Sequence, residues 1–197
     1  MSTSTSIIFV FCLSFISLFV FRKLAKRFGL VDKPNERKHH VGQIPLVGGI
    51  SIYCTLMIAL FVLFPITNTL LLYVACSTVL IVLGALDDRY DLSFKSRLVV
   101  QAGISLAMIL IGYKSLHYLG AMFSDSALVI PTYMSYIVTI LAVIGAINAF
   151  NMVDGIDGLL GGLASVTFSA LGLMFYLAGN IELATFCLLF VGAMLPY

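Results

Sequence analysis

Long apolar stretches, separated by short polar ones, constrain the fold of this chain more than any other feature of its sequence. A membrane-spanning helix requires about 20 consecutive, mainly apolar residues. Seven stretches approach this length, and they cover residues 4–21, 44–64, 70–86, 98–113, 131–149, 159–178 and 182–197. They do not alternate apolar and polar residues, as a membrane β-strand of about 10 residues does. We therefore predict an all-α fold, a polytopic membrane helix bundle with seven transmembrane helices, in which residues 1–197 form a single domain.

The composition excludes the other broad classes of protein. Of the 197 residues, 61% are hydrophobic and 10% are charged, whereas soluble domains have about 45–50% apolar and about 25% charged residues. Too few polar side chains remain to cover a water-facing surface, and the high apolar content also excludes intrinsic disorder. The net charge of +2 is almost balanced. We therefore expect the lipid bilayer, and no nucleic acid, as a partner.

The basic residues lie almost entirely on one side of the predicted bundle. Ten of the eleven fall in the predicted loops 22–43 and 87–97, and Lys114 alone falls on the other side. Lysine and arginine accumulate in the cytoplasmic loops of membrane proteins, so we expect the N-terminus outside the cell and these two loops inside. No basic residue precedes the first apolar stretch, and we therefore do not interpret it as a cleaved signal peptide.

Most acidic residues fall on the same predicted cytoplasmic side, in loops or at helix ends. They are Asp32, Glu36, Asp87, Asp88, Asp91, Asp154 and Asp157. Three of these, Asp87, Asp88 and Asp91, directly follow the third apolar stretch, and carboxylates so close together repel one another unless a cation is present. The basic residues of the same loop could provide part of that compensation; they are Arg89, Lys95 and Arg97.

A second polar cluster follows the fifth apolar stretch. Asn148, Asn151, Asp154 and Asp157 recur at every third position, which makes each the neighbour of the next on a helix. The row turns gradually around a helix, and Gly158 allows the backbone to bend so that the side chains converge. Carboxylate and amide oxygens without basic neighbours suit Mg²⁺ bound together with phosphate. The sequence thus predicts a Mg²⁺ site that could also accept Mn²⁺; alternatively, these acids are solvated residues at helix ends.

A basic segment of the first predicted cytoplasmic loop has the charge to bind a phosphorylated substrate. It contains Lys33, Arg37, Lys38, His39 and His40. Pro34 lies within it and Pro45 follows it, which favours a structured loop. The two histidines could instead be exposed and without function, and the basic residues from Arg22 to Arg27 are interpreted as a topology signal.

Four motifs of this chain together resemble one enzyme family. They are residues 32–40 (DKPNERKHH), 44–49 (IPLVGG), 83–88 (LGALDD) and 148–159 (NAFNMVDGIDGL). The pattern resembles the polyprenyl-phosphate N-acetylhexosamine-1-phosphate transferases, most of all the members that make undecaprenyl-diphosphate-GlcNAc. The last motif is highly specific, whereas the paired aspartates of the third are not.

The resemblance implies a reaction at the inner membrane of a bacterium. Undecaprenyl phosphate would attack the β-phosphorus of UDP-GlcNAc, giving undecaprenyl-diphosphate-GlcNAc and UMP on the cytoplasmic face. This is the first membrane step of a cell-surface polysaccharide pathway such as lipopolysaccharide biosynthesis. The substrates are both anionic, so a magnesium ion would offset their charge.

The resemblance also implies roles for individual residues. The catalytic pair is Asp87 and Asp88, the metal ligands are Asp154 and Asp157, and the substrate-binding residues are Asn151, Lys38 and His40. Asp87 and Asp88 would lie near the attacking phosphate, and Asn151 would donate a hydrogen bond. The resemblance leaves open which aspartate ligates the metal and whether the protein forms a homodimer.

The sequence departs from the family pattern at its end. It stops after Pro196 and Tyr197, inside the seventh apolar stretch, whereas family members continue through further helices with another acidic motif and a histidine-rich loop. We therefore expect the domain to be incomplete at its C-terminal end, and this chain alone to have little or no activity.

Two other functions compete with this interpretation. Asp87, Asp88 and Asp91 match the DDxxD pattern that holds Mg²⁺ and diphosphate in intramembrane prenyltransferases. A cation transporter is the other alternative, although transport sites usually lie near the middle of the bilayer. Here the acidic residues lie near helix ends, which disfavours transport.

Overall fold

The computed structural model describes residues 3–28, 31–32, 44–45, 48–121, 127–153 and 158–197. Its helices are α1 (Thr3–Phe28), α2 (Gly48–Leu63), α3 (Asn68–Tyr90), α4 (Phe94–Leu110), α5 (Thr132–Val153), α6 (Leu159–Leu177) and α7 (Ile181–Met194). Each helix coincides with one of the seven predicted apolar stretches. The prediction of an all-helical, polytopic membrane fold is therefore confirmed.

Helix length divides the seven into two groups. α1, α3, α5 and α6 contain spans that are long and apolar enough to cross a membrane, whereas α2 and α7 are apolar but have 16 and 14 residues. α4 has 17 residues. A helix rises about 1.5 Å per residue and the hydrocarbon core is about 30 Å thick. Four helices thus meet the length of a span, and the chain is a multi-pass membrane protein.

Three helices continue beyond the apolar stretch that predicts them. α1 includes Arg22 and Lys23, α3 includes Asp87 and Asp88, and α5 continues to Val153. Lysine and arginine are good helix formers, and the headgroup region supplies water and counterions. A helix therefore need not end where its sequence becomes polar. The aspartate cluster begins within α3, and the asparagine and aspartate row begins within α5.

A short antiparallel pair, which the sequence did not predict, follows α1. Strand β1 (Val31–Asp32) pairs with β2 (Ile44–Pro45), with Val31 opposite Pro45 and Asp32 opposite Ile44. Two-residue strands are too short to show an apolar and polar alternation, so the sequence carries no periodic signal for them. The pair brings together the two ends of the segment 33–43.

The first of two compact units comprises residues 1–65 and 156–197 and contains α1, α2, α6 and α7. Its core consists of Val10, Leu56, Ala59, Leu189 and Ala193. Close approach of helices is marked by Gly192, where an added Cβ would lie 3.2 Å from the Ile7 carbonyl oxygen. The buried Ser14 hydroxyl donates to the Ala193 carbonyl oxygen at 2.6 Å. Small residues and hydroxyl bonds of this kind typify helix packing in membranes.

The second unit, residues 66–155, contains α3, α4 and α5. α3 and α4 begin at capping residues: Thr67 Oγ1 accepts from Leu70 N at 3.1 Å, and Ser93 Oγ accepts from Ser96 N at 3.2 Å. Both satisfy backbone donors that a helix start leaves unpaired. α4 packs against both α3 and α5, so it is the central element of this unit.

Candidate active site

Asp87 lies in the last turn of α3 and both of its carboxylate oxygens accept hydrogen bonds. Oδ2 lies 2.6 Å from Arg97 Nη1, and Oδ1 accepts from the backbone N–H of Leu92 at 3.0 Å. Arg97 is in the first turn of α4. The Asp87 and Arg97 side chains are 21% and 24% exposed. This carboxylate therefore closes the connection between the two helices.

The connection itself is three residues long and is built on Asp91. That residue has φ 50° and ψ 65°, and its N–H donates to the Asp87 carbonyl oxygen at 2.8 Å. A left-handed residue at this position ends a helix and satisfies one of its last carbonyl groups. Asp91 consequently lies outside the helix, so it does not continue the helical face that carries Asp87 or Asp88.

The same face of α4 also contacts α5. Gln101, four residues after Arg97, is 4% exposed, and its Oε1 accepts from Asn148 Nδ2 at 2.8 Å. Asn148 Nδ2 donates a second hydrogen bond to the Ile144 carbonyl oxygen at 2.8 Å. Residues four apart on a helix are neighbours, about 6 Å apart along its axis. α4 thus joins the end of α3 that carries the aspartates to the end of α5 that carries the asparagines.

Two predicted site residues at this end of the unit are exposed. Asp88 follows Asp87 in α3, and Asn151 lies one turn beyond Asn148 in α5. Adjacent helical residues point about 100° apart, so Asp88 does not share the environment of Asp87. Both side chains are therefore solvent-accessible at the polar ends of their helices.

Four predicted site residues lie outside the described residues: Lys38, His40, Asp154 and Asp157. α5 ends at Val153, and Gly158 has φ 74° as the N-cap of α6. Residues 154–157, between these two helices, lie outside the described residues, so the predicted convergence of the polar row stays a prediction. In the part of the chain that the structure describes, no three histidine, cysteine, aspartate or glutamate side chains are grouped to hold a metal.

Charge at the helix ends explains why Asp87 and Arg97 pair. Negative charge is disfavoured near a helix C-terminus and positive charge near an N-terminus, because of the helix dipole. Asp87 and Arg97 each occupy the unfavourable end of their own helix, and their contact offsets both effects. Of the other bases near this site, Arg89 lies over the Tyr90 ring, 5.4 Å from its centroid.

Arg97 was predicted from the sequence only as one of several compensating charges, and Gln101 was not predicted as a site residue. A signal for Gln101 was available, because it is the one amide within the apolar stretch 98–113. Polar side chains at membrane depth are costly and usually contact another polar group. The spacing of four between Arg97 and Gln101 would then have placed both on one face of a helix.

The sequence profile of a known family, described as glycosyl transferase family 4, matches residues 70–197. The matched region is more than half of the chain and covers α3 to α7. It contains the aspartate pair of α3 and the asparagine and aspartate row that begins in α5, whereas Lys38 and His40 precede it.

Curated relatives match almost the whole chain. The undecaprenyl-phosphate alpha-N-acetylglucosaminyl 1-phosphate transferase of Yersinia pestis is 46% identical over 201 residues, covering 100% of this chain and 54% of that protein. The protein of the same name from Escherichia coli K12 is 45% identical over 197 residues, covering 100% and 53%. The one from Haemophilus influenzae is 41% identical over 192 residues, covering 98% and 54%. The chain thus spans about half the length of the curated relatives it matches.

Proposed function

This chain belongs to glycosyl transferase family 4, and on that premise we propose that it is part of a GlcNAc-1-phosphate transferase that uses undecaprenyl phosphate. The observation that carries the proposal is the double contact of α4, with Asp87 through Arg97 and with Asn148 through Gln101. These contacts support a shared site for the two polar clusters. The names of the relatives support the choice of undecaprenyl phosphate and of the N-acetylglucosaminyl 1-phosphate group.

In the proposed reaction a phosphate oxygen of undecaprenyl phosphate attacks the β-phosphorus of UDP-GlcNAc. A new P–O bond forms, the bond from the β-phosphorus to the bridging oxygen breaks, and UMP leaves with that oxygen. A phosphate monoester has its second pKa at about 6, so the acceptor is largely a dianion at neutral pH. No proton must then be removed from it, and the demand on the protein is charge compensation and orientation rather than a general base.

The donor set of the site is suited to Mg²⁺. This ion prefers one or two carboxylates together with substrate phosphates, rather than a complete cage of protein ligands. The carboxylates of Asp154 and Asp157 would hold it, and when bound it would neutralise charge on the diphosphate. Asp87 and Asp88 would lie near the attacking phosphate, and the two oxygens of Asp87 also accept hydrogen bonds from Leu92 N–H and Arg97.

The remaining residues of the proposal act on the substrates. Asn151 would donate a hydrogen bond to a phosphate or sugar oxygen from the end of α5. Lys38 and His40 would add positive charge from the segment whose ends β1 and β2 bring together. With basic residues on the inner side, the site would face the cytoplasm, the N-terminus would lie outside, and the membrane would be the bacterial inner membrane. A homodimer stays a prediction.

The experiment is an assay of UMP release from UDP-GlcNAc in the presence of undecaprenyl phosphate, with Mg²⁺ or with a chelator. It uses the 197-residue chain and, in parallel, the longest polypeptide that its gene encodes, with UDP-glucose and UDP-GalNAc as competing donors. We expect Mg²⁺-dependent UMP release that requires the lipid phosphate. Release of pyrophosphate from a prenyl diphosphate, without UMP release from any UDP-sugar, would instead support a prenyltransferase.

The expectation of little or no activity from the 197-residue chain alone stays a prediction. Its test is the same assay on the purified chain, and robust UMP release would contradict it.

A further inference from the structure

We propose that Arg97 and Gln101 form a positioning edge on α4, which fixes the two polar clusters of the site relative to each other. The proposal rests on the proposed function and goes one step beyond it. Neither residue is placed at the reacting atoms; Arg97 acts through Asp87 and Gln101 acts through Asn148. We name these two residues the α4 edge.

Both carboxylate oxygens of Asp87 take part in the connection between α3 and α4. One oxygen accepts from Arg97 Nη1 and the other from the Leu92 N–H, so this carboxylate is committed to the α3–α4 connection. Charge-assisted hydrogen bonds of this kind are short and orient both groups. The orientation of the last turn of α3, and with it the direction of the exposed Asp88, then depends on Arg97.

The contact between Gln101 of α4 and Asn148 of α5 is partly buried. Gln101 is 4% exposed, and a buried amide must have its hydrogen-bonding groups satisfied. Its Oε1 accepts from Asn148 Nδ2, which is bound in turn to the Ile144 carbonyl oxygen. This fixes the rotation of the end of α5 and therefore the position of Asn151, one turn later.

These two contacts act together because Arg97 and Gln101 are one turn apart on a single helix. A rigid helix that contacts α3 and α5 through adjacent side chains transmits any displacement of one cluster to the other. Small errors in the placement of reacting groups reduce rate strongly. Loss of either edge residue should consequently lower kcat more than it raises KM for UDP-GlcNAc.

The test is a double-mutant cycle on the longest polypeptide that the gene encodes. Arg97→Ala is combined with Asp87→Asn in one cycle and with Asp88→Asn in the other. We expect Arg97 and Asp87 to be coupled by at least about fivefold in kcat/KM, and Arg97 and Asp88 to be additive within about twofold. Arg97→Lys should restore part of kcat, since it keeps the charge. Lys95→Ala, an exposed neighbour in the same turn, is the matched control and should behave as the wild type.

Gln101 is tested in parallel by Gln101→Leu, which keeps the volume and removes the acceptor for Asn148. We expect a fall in kcat of at least about tenfold with a change in KM of less than threefold in the same variant. If Arg97→Ala does not accumulate in the membrane, Arg97→Lys and Asp87→Asn, which preserve side-chain size, complete the cycle. An increase in KM alone, for either edge residue, would overturn the proposal.

A second readout separates failure of this inference from failure of the proposed function. The same cycles are measured as the midpoint of thermal unfolding of the protein in detergent, which needs no substrate. Coupling of Arg97 to Asp87 but not to Asp88 in unfolding is expected even if the wild type releases no UMP, and that result would contradict only the proposed function. Additive effects in both readouts would overturn the α4 edge.

Discussion

Arg97 Nη1 lies 2.6 Å from Asp87 Oδ2, so the first turn of α4 is joined to the last turn of α3. This contact distinguishes two aspartates that are adjacent in the sequence. Asp87 is partly buried and occupied by the helix connection, whereas Asp88 is exposed. The two aspartates predicted from the sequence as a catalytic pair thus differ in burial, one partly buried against Arg97 and one exposed, and their catalytic role stays a prediction.

Replacement of Asp88 by asparagine should affect activity and leave stability nearly unchanged. We expect Asp88→Asn to lower kcat for UMP release at least about tenfold, equivalent to about 1.4 kcal/mol at the barrier. Because Asp88 is exposed, any contact that it makes contributes less than about 1 kcal/mol to the free energy of unfolding. Steady-state kinetics and thermal unfolding of the same preparation measure the two quantities.

The matched control for that variant is Asp87→Asn. It removes a charge from a partly buried hydrogen-bonded pair and should lower stability by about 1.5–3 kcal/mol, together with activity. Equal losses of stability in the two variants would contradict the division of roles between these aspartates.

The proposed metal ligands Asp154 and Asp157 are tested through the concentration of Mg²⁺ that supports half-maximal rate. We expect Asp154→Asn and Asp157→Asn each to lower the rate at least about tenfold and to shift this concentration upward, since each removes a hard anionic ligand. A chelator should abolish the activity of the wild type, and added Mn²⁺ should restore part of it.

Glu182→Gln provides the comparison for these variants. Glu182 is an exposed carboxylate in the first turn of α7, so its replacement should not change the Mg²⁺ dependence. Unaltered activity of both aspartate variants would remove these two residues from the site.

Asp91 should be dispensable for activity. Because it ends α3 in the left-handed conformation, Asp91→Gly removes a strained non-glycine residue and should raise the free energy of unfolding by up to about 1 kcal/mol. UMP release should stay within about twofold of the wild type, since a surface change of this kind is worth less than about 0.5 kcal/mol. A tenfold loss of activity would indicate that the DDxxD pattern acts as a unit, as in the prenyltransferase alternative.

Packing within the first unit gives a prediction that is independent of function. An added Cβ at Gly192 would lie 3.2 Å from the Ile7 carbonyl oxygen and 3.3 Å from Ile7 Cγ2. We expect Gly192→Ala to lower the free energy of unfolding by about 1–3 kcal/mol, since a well-packed contact must open. Gly161 has no atom within 4 Å of the same position, so Gly161→Ala should stabilise α6 by about 0.5–1 kcal/mol. Thermal unfolding in detergent that ranks the two variants in the opposite order would contradict this packing.

The positions of the helices could be predicted from the sequence because each apolar stretch lacks internal charge and must satisfy its backbone within itself in lipid. The ends of the helices could not be predicted, since Arg22 in α1 and Asp87 in α3 are compatible both with a helix and with a loop. Only the backbone conformation at the cap shows where a helix ends and a loop begins. At Asp91, for example, the left-handed conformation ends α3.

The composition of the candidate site was visible in the sequence, whereas the contacts within it were not. The spacing of Asn148 and Asn151 predicts neighbours on a helix, but the partner of Asn148 is Gln101, 47 positions away. Likewise, nothing in two adjacent aspartates indicates which one faces Arg97. Pairing between helices depends on their relative rotation, and a hydrophobic stretch that is apolar on every side leaves that rotation undetermined.

The two-residue ladder of β1 and β2 links the chain that follows α1 to the chain that precedes α2. Val31 faces Pro45 and Asp32 faces Ile44, three or four residues from the end of α1 and the start of α2. The entropic cost of closing a loop grows only slowly with its length, and the pairing of β1 with β2 already closes the loop between them. The ladder therefore holds the strand that follows α1 against the strand that precedes α2, which limits how far these two helix ends can separate.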